Sequence, residues 1–164
     1  MYQIRRLRSS DATKYLALID QTDRESDFMM QEPGERQMNT LQLSLSLASG
    51  VNHIFIAEDE EKMIGQLVAF HMFGNGSRVK HVVHIGVSVL KEYWGKGVGS
   101  ELFKEMELWA LKNSIKRLEL SVMTDNQRAI NLYKKIGFEI EGTKKASIFV
   151  NGKYVDEFLM SKIL

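Results

Sequence analysis

The chain has 164 residues, 44% of them apolar and 26% charged, which suffices for one sizeable core and is ordinary for a soluble globular fold. With 22 basic against 21 acidic residues the formal charge is +1, which argues against a nucleic-acid partner held by a broad basic surface. Cysteine is absent, and with it disulfides, thiolate metal sites and a cysteine nucleophile.

The opening MYQIRRLRSSD is too polar for a signal peptide, and no apolar run approaches the roughly 20 residues of a membrane span. A cytoplasmic protein with no membrane partner is expected, read as one domain over residues 1–164. Tyr2–Leu7 alternates as a first strand, and Ser10 or Asp11 can cap a helix with Tyr15, Leu16, Leu18 and Ile19 on its apolar stripe. DRESDFMMQEPGER is polar and irregular; Pro33 suits the first turn of a second helix, which is expected to bury Met38, Leu41 and Leu45 and stop at Gly50. From His53 the period becomes two. HIFIA and MIGQLVAFHMF read as strands around the acidic turn EDEEK, GNGS is a further turn, and Val79–Val89 is a long strand.

The next stretch, YWGKGVGS (Tyr93–Ser100), leads into a helix with Leu102, Met106 and Trp109 on one face. IKRLELSV is a strand, TDNQRAINLYKKIGF a short helix stopped at Gly137, and the remainder two strands about Asn151-Gly152, the strongest short hairpin signal. The order β-α-α-β-β-β-α-β-α-β-β predicts an α/β fold: a mixed, largely antiparallel central sheet flanked by helices on both faces.

Glycines ahead of a helix let the backbone approach an anion, and the first helical amides point at it. Lys96 adds a charge or is a solvated side chain. A nucleoside-triphosphate loop would require G-x-x-x-x-G-K-[ST], and no Ser or Thr follows Lys96. A dinucleotide loop is the stronger rival, since Glu119 lies about 20 residues on, where a ribose-binding acid is expected. Against it, the glycines are spaced G-x-G-x-G, and Leu90–Trp94 separates strand from loop. A plain turn without ligand also stays open.

Two motifs in sequence order narrow the choice. V-x-V-x-x-x-x-x-G-x-G-x-G, followed by D-N-x-x-A-I-x-L-Y-x-x-x-G-F, resembles the GNAT family of acyl-CoA N-acyltransferases, and the likeness runs from about Met63 to the C-terminus. The ending GF-x-x-E-G…N-G-x-Y-x-D is similar to bacterial amino-acid, polyamine and ribosomal-protein N-terminal acetyltransferases. One position departs from the pattern: Trp94 stands where the family carries Gln or Arg.

The resemblance implies acetyl-CoA as cosubstrate, an amine of a small molecule or peptide as acceptor, and direct attack on the thioester. A homodimer is a family expectation. The pantetheine arm is expected along Val87, Ser88 and Val89, with the Val87 amide at the thioester oxygen. The pyrophosphate is expected on Gly95, Lys96, Gly97, Val98, Gly99 and Ser100. Asn126 is expected to bond the pantetheine, Asn131 to touch the far end of the cofactor, and Tyr133 to protonate the departing thiolate, since a phenol with an ordinary pKa of about 10 stays protonated at neutral pH.

His84 lies near where some relatives place a carboxylate base, although a hydrogen-bonded strand histidine is an equal reading. Glu25, Glu32 and Glu35 can attract a cationic amine or simply be solvated. No metal is expected: His81 and His84 are three apart and point to opposite faces of a strand. The alternative to an enzyme is a non-catalytic module that senses acetyl-CoA.

Overall fold

Alternating stretches between tight turns build most of this molecule. The computed structural model describes all residues except Asn75 and Ser77, so the expected turn at GNGS lies partly outside the described residues. The elements are β1 (Tyr2–Arg6), α1 (Ala12–Glu25), α2 (Thr40–Ala48), β2 (Asn52–Asp59), β3 (Lys62–Phe70), β4 (Val82–Val89), α3 (Val98–Lys112), β5 (Arg117–Met123), α4 (Gln127–Ile136), β6 (Glu139–Val150) and β7 (Lys153–Ile163). Their order is the predicted one. They form a seven-stranded sheet in the order β1-β2-β3-β4-β5-β7-β6. Among the described residues β4 and β5 are the parallel pair, and the other neighbours are antiparallel.

Local chemistry explains the joints. Asn151 and Gly152 both have positive φ, 51° and 74°, as the tight turn between β6 and β7 requires. Gly137 ends α4 at φ 105°, with its N–H on the Tyr133 and Lys134 carbonyls.

The second helix differs from expectation in two ways. Pro33 lies outside it; Asn39 is the N-cap, and its side chain accepts from the Gln42 amide at 2.9 Å while Gln42 reaches back to the Asn39 amide. The buried residue is Leu43, whereas Met38, Leu41 and Leu45 are exposed. Leucines at 41, 43, 45 and 47 repeat every second residue, so a helix must divide them. Leu43 and Leu47, four apart, share the inward face, and Leu41 and Leu45 share the outward one. The strands flanking GNGS are also shorter than expected, ending at Phe70 and starting at Val82.

Alternation along β3 shows which helix covers which face. A Cβ added at Gly65 would come within 3.3 Å of Val98, so α3 lies against that side. The next residue, Gln66, accepts the Tyr15 hydroxyl of α1 at 3.4 Å. Neighbouring strand residues point to opposite faces, hence α1 and α3 cover opposite sides of the sheet. The apolar core follows on both: Leu18, Ile19, Leu67, Leu102, Phe103, Met106, Leu118 and Ile130 are all buried.

Candidate active site

The parallel pair opens into a cleft. β4 and β5 pair at Val82↔Arg117, Val83↔Leu118 and His84↔Glu119, and among the described residues pairing ends there. Beyond it, the edges of both strands need other partners. The Leu90 N–H donates to the Ile64 carbonyl at 2.9 Å, toward β3. Peptide groups alternate sides along a strand, so those of Ser88 and Gly86 also face β3. Those of Val89, Val87 and Ile85 therefore face the cleft. The Val89 carbonyl agrees, since it accepts the Trp94 indole N–H at 2.7 Å from outside the sheet.

A cavity of about 860 Å³ fills this gap. Strand alternation divides its wall. On the α3 and α4 side it meets Ile85, Val87, Val89, Leu120, Val122, the glycine loop and the start of α4. On the α1 side it meets Val68, Phe70, His84, Gly86, Ser88, Ser121 and Met123, with Phe28, Met30 and Arg36 closing over them.

On the first side, Gly95 and Gly97 take φ of 73° and 84°, a conformation that costs a side chain dearly. Gly97 is the residue before α3, and Gly95, Gly97, Val98, Gly99 and Ser100 line the cavity. A Cβ at Gly99 would stand 3.0 Å from Leu132, so glycine there lets α3 approach α4. Lys96 does not line the cavity, and its ammonium lies 5.1 Å from the centre of the Tyr93 ring. Asn131 is also outside, accepting the Gln127 side-chain amide at 2.7 Å. Ser88 lines the cavity on the α1 side; its backbone faces β3, and its hydroxyl accepts from Gln66 at 3.2 Å.

Asn126 lines the cavity as the N-cap of α4, with its side-chain oxygen taken by the Ala129 N–H at 3.3 Å; its amide nitrogen remains as the donor. Tyr133 is buried against Phe103 and Phe138 and lines the same side. Burial pushes its phenol up to about 12, with Arg128 pulling the other way. Trp94 is the platform for Arg128, whose guanidinium carbon sits 3.2 Å from the indole ring centre. Arg128 lines the cavity beside the glycine loop.

On the α1 side, His84 Nε2 meets Glu119 at 2.7 Å. Glu119 is also held by Arg117, which forks onto Glu141. With Nε2 donating, the neutral ring carries its lone pair on Nδ1, which is buried and has no hydrogen-bond partner among the described residues. Glu119, the acid a dinucleotide reading required, thus faces away from the glycine loop, on the opposite side of the sheet. Glu25, Glu32 and Glu35 do not line the cavity; Glu25 accepts the Lys91 N–H at 2.6 Å, and Glu35 that of Glu32 at 2.9 Å.

Sequence reasoning missed Arg128, Arg36, the pairing of Glu119 with His84, and Glu157, a buried carboxylate on the cavity wall bonded to Lys144 at 3.2 Å. Arg128 had a signal, two residues after Asn126 inside the second motif. The others had none, because their partners are distant in sequence: Arg36 with Asp23 at 2.6 Å, Lys144 with Glu157 across a hairpin.

Comparison with known proteins agrees with this arrangement. The acetyltransferase (GNAT) family matches residues 14–138. The chain is 42% identical over 87 residues to the L-amino acid N-acetyltransferase AaaT of Escherichia coli K12, covering 52% of this chain and 54% of that one. It is 33% identical over 69 residues to the spermidine N(1)-acetyltransferase of the same organism, covering 42% and 37%. The alignments thus span about half or less of these relatives. The crystal structure of an acetyltransferase of the GNAT family from Streptococcus pneumoniae superposes with a TM-score of 0.93 at 28% identity, over 100% of this chain and 99% of that one.

Proposed function

The chain belongs to the acetyltransferase (GNAT) family, and from that premise we propose that it moves the acetyl group of acetyl-CoA onto a primary amine of a small molecule or peptide. The observation that carries this reading is the parting of β4 from β5, with the peptide groups of Val87 turned into the gap. A pantetheine arm has the polar spacing to replace the missing strand partner. Bound acetyl-CoA supplies an activated acyl thioester.

The residues divide the work by side of the sheet. Val87 offers both peptide groups to the arm, and Val89 its N–H alone, because Trp94 holds its carbonyl. The Val87 N–H is the donor for the acyl oxygen as that oxygen gains charge, a fixed dipole that needs no reorganisation. The amides from Gly95 to Ser100 receive the pyrophosphate at the start of α3. Arg128 brings there the guanidinium that residue 94 lacks, held flat by the indole.

On the α1 side, His84 is the candidate acceptor of the amine proton, and its contact with Glu119 orients the ring. The amine nitrogen bonds the acyl carbon, the carbon–sulfur bond breaks, and the sulfur leaves toward Tyr133. A thiol of ordinary pKa about 8.5 is a stronger acid than a phenol pushed up by burial, so complete transfer from Tyr133 is uphill. Tyr133 therefore acts chiefly as a hydrogen-bond donor that steadies the leaving thiolate.

The test is thermal and chemical together. Saturating acetyl-CoA is expected to raise the melting temperature, NAD to leave it unchanged, and free thiol to be released when an accepted amine is added. No thermal shift with acetyl-CoA would overturn the cosubstrate, and a shift without thiol release from any amine would favour a sensor.

A further inference from the structure

We infer that the acceptor is a primary amine carried on an apolar body with no second positive charge. This inference rests on the acetyl-transfer reading above, and it comes from the α1 side of the cavity alone. The apolar surface there is thioether and aromatic: Phe28 and Met30 from the α1–α2 connection, Phe70 and Met72 from the end of β3, and Met123 from β5. Phe28, Met30 and Met72 are exposed in spite of this character, at 36%, 74% and 53%. Methionine adapts its shape to a variable apolar partner, and such side chains around a polar floor suit an amphipathic ligand.

Charge excludes the other class of amine. Each carboxylate on this side already has a cation. Asp23, which anchors the wall residue Arg36, is held through Arg36 Nε and Nη2 at 2.6 and 3.2 Å; Glu157 is held by Lys144, and Glu119 by Arg117 and His84. A polyamine brings one ammonium to the thioester and at least one more into this half. The second would lose water against methionine and phenylalanine with no free carboxylate to meet it. The three glutamates that might have served, Glu25, Glu32 and Glu35, lie outside the cavity wall.

The experiment is steady-state thiol release from acetyl-CoA with L-phenylalanine, phenethylamine, a peptide beginning with phenylalanine, and spermidine. At least one of the first three is expected to exceed spermidine in kcat/KM by about a hundredfold, and their ranking identifies the body that carries the amine. Met30→Glu, at an exposed position, is expected to lower that kcat/KM about tenfold and narrow the gap to spermidine, with the melting shift by acetyl-CoA unchanged. Spermidine used as well as the apolar amines, or Met30→Glu without effect on their ratio, overturns this inference and leaves the acetyltransferase reading standing. Turnover of none of the four overturns this inference, and a melting shift with acetyl-CoA in that case shows that the cosubstrate reading has survived it.

Discussion

At the scale of single residues, the proposed chemistry rests on Tyr133, His84, Trp94 and Arg128. Burial holds Tyr133 protonated far above neutral pH, so the contribution proposed for it is a directed hydrogen bond. Tyr133→Phe keeps the ring among Phe103 and Phe138 and removes that bond; kcat is expected to fall about 10- to 100-fold with acetyl-CoA affinity nearly constant. Equal turnover in the variant would reduce Tyr133 to a packing residue. Arg128→Ala removes the guanidinium from the Trp94 platform, and acetyl-CoA is expected to bind about tenfold more weakly by calorimetry, whereas S-acetyl-pantetheine, which lacks the pyrophosphate, binds as before. Equal losses for both ligands would place Arg128 on the pantetheine instead.

Elements decide which of these groups can meet. The peptide groups of β4 alternate between β3 and the cleft, which turns those of Val87 into the cleft and those of Ser88 toward β3. The alternation of side chains puts His84 and Tyr133 on opposite sides of the sheet, reaching the cleft from two directions. A different element pair sets a pH response. On β2, His53 accepts from Arg6 through Nδ1 at 3.1 Å and stacks on Trp109 of α3 at 4.3 Å. Burial, then Arg6 and His71, push its pKa down to about 4 from the ordinary 6.5. Between those values the unfolded chain binds the proton and the folded one does not, so stability is expected to fall as the pH drops from 6.5 toward 4. His53→Phe should flatten that part of a denaturation-midpoint series, and identical slopes in both proteins would remove His53 from the account.

For the whole molecule, the cleft exists because a parallel pair sits inside an otherwise antiparallel sheet. β4 is tied to β3 from His84 to Val89 and β5 to β7, so the two can separate after His84 and Glu119 without loosening either neighbour. Helices α1 and α3 then cover opposite sides, and each side of the opening acquires its own chemistry. The same arrangement removes the dinucleotide reading, because Glu119 and the glycine loop approach from opposite sides. Among the described residues no helix is long and apolar enough to cross a membrane.

The order of elements, the hairpin at Asn151-Gly152, the stop at Gly137 and both family motifs were legible in the sequence because each depends on neighbours a few residues apart. So were Tyr133 and the glycine loop, through a family pattern of fixed spacing. Four leucines at every second position misled the reading of α2, since period alone does not say which half of them meets the core. Tertiary structure alone could join His84 to Glu119, Arg128 to Trp94, and Arg36 to Asp23. Those pairs arise where strands diverge and loops fold back, and their energies depend on burial and distance, which spacing along a chain does not encode.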